Sequence, residues 1–176
     1  KQALDAKHPV AVDPGKYKVV LMPAATGHLA EYLIWWANAR TTKEGLTYLS
    51  DKLGQKLTGE NITIYSDPAD SRLPSCPFTG EGLPRAKTTW IDKGVFNQLW
   101  WDRWTAKQNG VDPIPHPGSP IMIGTDKTAN DLIATVERGI LVTHFWYVRS
   151  VKDDETLVTG MTRDGTFLIE DGKVKC

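Results

Sequence analysis

Residues 140–149 read Ile-Leu-Val-Thr-His-Phe-Trp-Tyr-Val-Arg, and this stretch decides the fold class. Successive side chains of a strand point to opposite faces, and here both alternating sets are largely apolar. That pattern is typical of a strand covered on both faces. We therefore predict a central strand over 140–149.

Shorter stretches of similar character flank this strand along the chain. Further strands are predicted over 18–22, 61–65, 85–91, 95–101, 120–124, 156–161 and 166–170. Asp92-Lys93-Gly94 and Arg163-Asp164-Gly165 are typical hairpin turns, and Asp171-Gly172 predicts another turn.

Three helices are predicted among these strands, over 23–40, 102–109 and 128–138. Pro23 suits a first helical position, Thr128 with Asp131 suits a capped start, and Gly110 and Gly139 suit helix ends. Residues 1–16, 66–82 and 111–120 are expected to be loops, since prolines and glycines interrupt them. Strands outnumber helices without regular alternation, so we predict one α+β domain over residues 1–176, with a mostly antiparallel sheet.

The amino-acid composition disfavours several classes of function. Lysine plus arginine and aspartate plus glutamate both number 21, so the formal net charge is zero. No basic excess favours nucleic acid or an anionic membrane as a partner. No apolar run is long enough to span a bilayer, and no signal peptide is visible. Cys76 and Cys176 make no disulfide scaffold. One bridge between them is possible, and two free thiols in a reducing compartment are the favoured interpretation.

The common catalytic motifs are absent from the sequence: there is no phosphate-binding glycine loop, no HExxH and no CxxC. His28 and Glu31 lie three residues apart on one predicted helix and can share a face. His144 lies within the central strand. These three are the candidate catalytic or metal-binding residues, although a lone histidine in a strand is more often a hydrogen-bonded core residue. His116, in the proline-rich loop, is expected to be solvated.

Seven tryptophans are many for 176 residues. Trp100 and Trp101 are adjacent in a predicted strand, so both cannot face one core. Tryptophan and arginine are enriched at binding hot spots. We therefore take Trp101, Arg103 and Trp104 as candidate binding residues.

Several segments, in order, resemble the C-terminal domain of the TldD/PmbA family, also called modulators of DNA gyrase. The matching stretches are GKYKVVL at 15–21, NITIYSDP at 61–68, PF at 77–78, EG at 81–82, TTWIDKGV at 88–95, WDRWTA at 101–106, RGILVT at 138–143 and GTFLIEDGKV at 165–174. The resemblance implies a longer parent protein with an N-terminal domain. It also implies a cytoplasmic system in which a TldD-like metallopeptidase works with a PmbA-like partner.

The catalytic subunit of that family carries HExxxH on the helix after the VVL strand. With Pro23 matched to the family's proline, the equivalent stretch here is Glu31-Tyr32-Leu33-Ile34-Trp35-Trp36, and in that register both histidines and the catalytic glutamate are replaced. The segment Thr26-Gly27-His28-Leu29 resembles the PmbA-type partner more closely. The family's third metal ligand would lie beyond Cys176. A proline-rich loop at 111–120 also replaces the family's glycine- and asparagine-rich loop.

These features favour a non-catalytic subunit or pseudo-peptidase, with no metal bound to this chain. Its expected partners are a peptide and a TldD-like catalytic subunit, as a heterodimer, or further copies of itself. One alternative is an active peptidase with a relocated zinc site at His28, Glu31 and His144. A second alternative is a ligand-binding module built on the tryptophan clusters.

Overall fold

The computed structural model describes residues 2–175. Its α-helices are α1 (Gln2–Asp5), α2 (Pro23–Trp36), α3 (Ala39–Lys43), α4 (Arg103–Asn109) and α5 (Ala129–Ala134). Its strands are β1 (Lys18–Leu21), β2 (Thr63–Ser66), β3 (Thr88–Asp92), β4 (Val95–Phe96), β5 (Pro120–Ile123), β6 (Arg138–Lys152), β7 (Leu157–Glu170) and β8 (Lys173–Val174). A 3₁₀ helix, Asp153–Glu155, connects β6 and β7. The predicted α+β class is confirmed.

The chain divides into two compact units. The first comprises 2–28, 126–149 and 158–175, and the second comprises Leu29–Thr125 and Ser150–Leu157. The expectation of one domain, preceded by another in a longer parent, stays a prediction. Among the described residues, no helix combines the length and apolar character that a membrane span requires.

The first unit is built on a four-stranded sheet in the order β1-β6-β7-β8. Strand β6 lies between two neighbours, as its two apolar faces predicted. Strand β1 lies at the edge and pairs in parallel with β6, Lys18 opposite Gly139 and Leu21 opposite Val142. This unit's buried apolar cluster consists of Val20, Ile133, Val136, Leu141, Phe167 and Ile169, with Met22 packed against it.

The second unit contains an antiparallel sheet in the order β4-β3-β2-β5. Its largest fully buried side chains are Ile34, Leu49, Ile64, Trp90, Ile91 and Phe96. The predicted β3–β4 hairpin is confirmed, since Lys93 and Gly94 both have positive φ, at 45° and 85°. Two consecutive positive φ angles match the twist of the flanking strands, and glycine adopts them without strain. The strands themselves are shorter than predicted.

The helix predicted over 23–40 is two helices. Asn38 has an extended backbone, and its side-chain oxygen accepts hydrogen bonds from the backbone N–H groups of Arg40 (2.8 Å) and Thr41 (3.2 Å). Asparagine at this position caps a new helix instead of continuing the old one. Helix α2 therefore ends at Trp36.

The helix predicted over 128–138 begins as expected, with Thr128 and Asp131 forming a capping box, but it ends at Ala134. Gly139 is not a helix terminator. It lies in β6, where a Cβ atom would come within 2.5 Å of the Lys18 carbonyl oxygen. The glycine permits the close approach of β1 and β6.

The hairpin predicted through Arg163-Asp164-Gly165 is wrong, because β7 runs unbroken from Leu157 to Glu170. Asp164 and Gly165 do have positive φ, at 63° and 143°. They form an irregular point within the strand, where the Thr143 hydroxyl donates to the carbonyl oxygens of Arg163 (3.2 Å) and Gly165 (2.8 Å). The predicted turn at Asp171-Gly172 is confirmed by the β7–β8 pairing.

The predictions for residues 1–16 and for β1 also differ from the structure. The lead-in over 1–16 contains α1, which was expected to be irregular. Strand β1 was expected to be buried, but its edge position leaves Val19 exposed.

Candidate functional site

The C-terminal half of α2 presents a tyrosine and two tryptophans. Trp36 is buried, and its indole N–H donates to the Asp153 carboxylate at 2.6 Å. The Tyr32 ring lies 5.7 Å from the Trp35 ring in an edge-on arrangement, and 6.0 Å from the Trp36 ring. Edge-on and tilted aromatic pairs at these distances are favourable. The aromatic residues therefore form one packed cluster in the second unit.

His28 and His144 come together in the first unit, with ring centroids 6.2 Å apart. His144 Nδ1 lies 3.3 Å from a carboxylate oxygen of Asp164, at the irregular point of β7. Glu31 is exposed on α2. Within residues 2–175, no three histidine, cysteine, aspartate or glutamate side chains are grouped so that they could hold a metal ion. The proposed site at these three residues stays a prediction.

Trp101, Arg103 and Trp104 lie at the start of α4, whose N-cap is Asp102. The Lys43 ammonium lies 5.6 Å from the Trp101 ring centroid, and Trp104 is 62% exposed. Arg103 Nε donates to the carbonyl oxygen of Glu81 at 3.2 Å. The structure thus combines aromatic rings and cations on one surface, while binding at these residues stays a prediction.

Trp100 and Trp101 do not lie in the strand predicted over 95–101, because β4 ends at Phe96. Trp100 is half-buried, and its indole N–H donates to the Ile34 carbonyl oxygen at 2.9 Å. Its ring also contacts His116 edge-on, with centroids 5.1 Å apart. His116 is therefore half-buried, contrary to the expectation of a solvated side chain, and burial lowers its pKa.

A charged cluster in the second unit was not predicted from the sequence. The Tyr65 hydroxyl donates to Asp70 at 2.9 Å, and the Arg72 guanidinium donates to the same carboxylate at 2.7 Å and to the Tyr65 oxygen. The hydrogen bonds from Arg72 hold the pKa of Asp70 well below its usual range. The hydrogen bond to Asp70 raises the pKa of Tyr65. Only the closeness of Asp70 and Arg72 in the chain hinted at this cluster.

The loop that carries Cys76 is held by Arg85. Its guanidinium donates to the carbonyl oxygens of Cys76 and Phe78, both at 2.9 Å, and to that of His116 at 3.0 Å. Cys76 is an exposed free thiol, and Cys176 lies outside the described residues. Arginine with several carbonyl acceptors fixes a long loop without regular secondary structure.

The family model of the PmbA/TldA metallopeptidase C-terminal domain matches residues 14–176. The chain belongs to this family. A metalloprotease of Methanothermobacter thermautotrophicus is 32% identical over 108 residues, which cover 61% of this chain and 24% of that protein. A metalloprotease TldD homolog of Haemophilus influenzae is 25% identical over 151 residues, covering 78% of this chain and 30% of that protein.

Two solved structures are similar along nearly the whole chain. A protein of Bacteroides thetaiotaomicron described as a candidate modulator of DNA gyrase gives a TM-score of 0.77 at 30% identity, covering 98% of this chain and 39% of its own. TldE of Thermococcus kodakarensis gives 0.76 at 27% identity, covering 94% and 41%. This chain thus spans less than half the length of these relatives.

The family's metal can be tested against the residues of α2. Zinc is bound by thiolate, imidazole nitrogen or carboxylate oxygen. The indole N–H of Trp36 is a hydrogen-bond donor without a free lone pair, and it is already directed at Asp153. Tyr32, at the position matched to the catalytic glutamate, carries no carboxylate. In this register Glu31 supplies a carboxylate at the first position, but Trp36 supplies no ligand and Tyr32 no general base, so the stretch does not fit the metal site of HExxxH.

Proposed function

We propose that this chain belongs to a non-catalytic subunit of a TldD/PmbA-type peptide-processing system, a PmbA-like partner that binds peptide or a TldD-like metallopeptidase. The observation that carries the proposal is the hydrogen bond from Trp36 to Asp153. With Pro23 matched to the family's proline, Trp36 falls at the second histidine of HExxxH, and its buried indole is a hydrogen-bond donor there instead of a metal-binding imidazole.

Three further observations support the proposal. The chain belongs to a family that includes metalloproteases, and TldE of Thermococcus kodakarensis has a similar fold. The aromatic cluster around Tyr32 fills the helix face with apolar rings instead of metal ligands. Exposed Arg103 and Trp104, beside half-buried Trp101, are aromatic and cationic groups of the kind enriched in protein interfaces.

The first test is the metal content of the intact protein, purified alone and after co-expression with a TldD-like subunit, by elemental mass spectrometry. The same measurement on an HExxxH-bearing relative is the positive control. We expect no stoichiometric zinc in the protein alone and stoichiometric zinc in the complex. Stoichiometric metal in the protein alone, or failure to form any complex with the TldD-like subunit, would contradict the proposal.

One observation favours a second candidate, an active metallopeptidase with a relocated site. The His28 and His144 rings lie close together, and Asp164 contacts His144. Two imidazoles at this separation need a third ligand to make a catalytic zinc site. This candidate predicts that His28→Ala abolishes peptidase activity and zinc binding together. Unchanged zinc content in that variant removes it.

A further inference from the structure

A small cavity of the second unit lies beside the aromatic cluster, and Trp35 and Trp36 belong to both. Its volume is about 180 Å³. Its lining residues are Trp35, Trp36, Asn38, Thr41, Leu46, Thr47 and Asp153. The cavity therefore combines two indoles and one leucine with the polar side chains of one asparagine and two threonines, and with one carboxylate.

The aromatic wall is held in place but accessible. Trp35 is 54% exposed, and its ring is supported edge-on by Tyr32. Leu46, on the same cavity, is exposed as well. An alkyl chain or a cation can bind against such an exposed indole. Because the second ring already restrains the indole, binding costs little side-chain entropy.

Hydrogen bonds orient the Asp153 carboxylate through one of its two oxygens. Its Oδ1 accepts from the Trp36 indole N–H at 2.6 Å and from the Ser150 hydroxyl. The backbone oxygen of Asp153 accepts from the Tyr48 N–H at 2.8 Å, which fixes the main chain. Among residues 2–175, no hydrogen bond or ion pair involves Asp153 Oδ2.

The neighbouring lysine does not neutralise this carboxylate. Lys152 instead forms ion pairs with Asp154, at 4.0 Å, and with Glu155. Asp153 therefore carries a negative charge without an ion-pair partner among residues 2–175, in a cavity whose lining also includes two indole rings and Leu46. A positive charge on an apolar stem matches both properties, since the charge meets the carboxylate and the stem meets the indoles.

We propose that this cavity binds the side chain of a lysine in a peptide or partner protein. A lysine suits it better than an arginine, because a guanidinium binds a carboxylate best with both oxygens, and only Oδ2 is open here. A compact ammonium needs a single oxygen. The inference rests on the proposed function only in taking a polypeptide as the source of the cation.

The test uses acetylated, amidated tripeptides with a central lysine, norleucine or arginine between glycines. Binding to the intact protein is followed by NMR through the indole N–H signals of Trp35 and Trp36. We expect the lysine peptide to bind at least about fivefold more tightly than the norleucine peptide, which lacks only the charge. We also expect it to bind more tightly than the arginine peptide.

The decisive variant is Asp153→Asn, which removes the charge but keeps an oxygen that can accept from Trp36. We expect it to lose the preference for lysine over norleucine, while the control variant Asp154→Asn keeps it. Equal binding of lysine and norleucine, an unchanged preference in Asp153→Asn, or no indole shift with the lysine peptide would each overturn the proposal.

This result is separable from the metal measurement. Stoichiometric zinc in the protein alone would overturn the proposed function and leave a lysine preference in place. A metal-free protein that forms the complex but shows no lysine preference would overturn only the cavity's assignment.

Discussion

The indole N–H of Trp90 donates to the side-chain oxygen of Ser66 at 3.0 Å, within the core of the second unit. Trp90 is fully buried and Ser66 nearly so. The bond joins neighbouring strands β2 and β3, and it lets a large aromatic ring be buried without leaving its one polar atom unsatisfied.

Ser66→Ala should destabilise the protein by about 1–3 kcal/mol, because it leaves the buried Trp90 N–H without an acceptor. The free energy of unfolding in urea measures the effect. Ser71→Ala, at an exposed serine, is the control and should change that free energy by less than about 0.5 kcal/mol. Equal effects of the two variants would show that the Trp90 bond contributes nothing.

Asp70 predicts a pH dependence of stability. Its pKa is lowered in the folded state by Arg72, so its contribution is complete above the unfolded-state pKa and is lost as pH falls below about 4. The thermal midpoint should therefore fall more steeply with acid in the wild-type protein than in Asp70→Asn. Thermal unfolding between about pH 2 and 6 measures this difference. Asp112→Asn, at an exposed aspartate, should keep the wild-type slope, and a wild-type slope in Asp70→Asn would refute the assignment.

Gly94→Ala should cost about 1–3 kcal/mol. Its φ of 85° disfavours any side chain, and a Cβ there would collide with the carbonyl oxygen of Thr58. Gly80→Ala is the matched control, since it has open space around it. Differential scanning calorimetry of the two variants should show a lower transition temperature only for Gly94→Ala.

Asp102→Ala should lower stability by about 0.5–2 kcal/mol. The Asp102 carboxylate accepts from both the backbone N–H and the hydroxyl of Thr105, each at 2.7 Å, and so caps α4. Asp102→Asn should recover most of the loss, because asparagine is an equally good N-cap. Guanidinium unfolding of both variants checks this, and an asparagine variant as unstable as the alanine variant would point to the charge instead of the cap.

Local signals predicted much of the fold. The apolar faces of β6, the Lys93-Gly94 turn and the Thr128–Asp131 capping box each depend on neighbouring residues, and each was confirmed. The helix end predicted at Gly139 and the turn predicted at Gly165 were wrong. A glycine required by a tertiary contact cannot be told in sequence from one required by a turn. Only partners far away in the chain, the Lys18 carbonyl for Gly139 and the Thr143 hydroxyl for Gly165, distinguish the two cases.

The candidate site was less predictable. The predicted replacement of the HExxxH residues depends on the resemblance and on the match of Pro23 to the family's proline. The hydrogen bond from Trp36 to Asp153 joins residues 117 positions apart, and no helical or strand periodicity in the sequence predicts such a contact. His116 was misjudged because its loop is rich in proline, whereas its burial comes from the Trp100 ring.

The parallel pairing of β1 with β6 bears on the order of folding. Lys18 and Gly139 meet across about 120 residues of intervening chain, so the edge of this sheet closes only after a large loop has been ordered. The β3–β4 hairpin and α4 need no such closure and can form while the chain is still emerging from the ribosome. Any nascent chain that ends before β6 leaves β1 with an unpaired edge, open to association with other chains. A chaperone that shields extended segments would therefore act on β1 during the interval between its synthesis and that of β6.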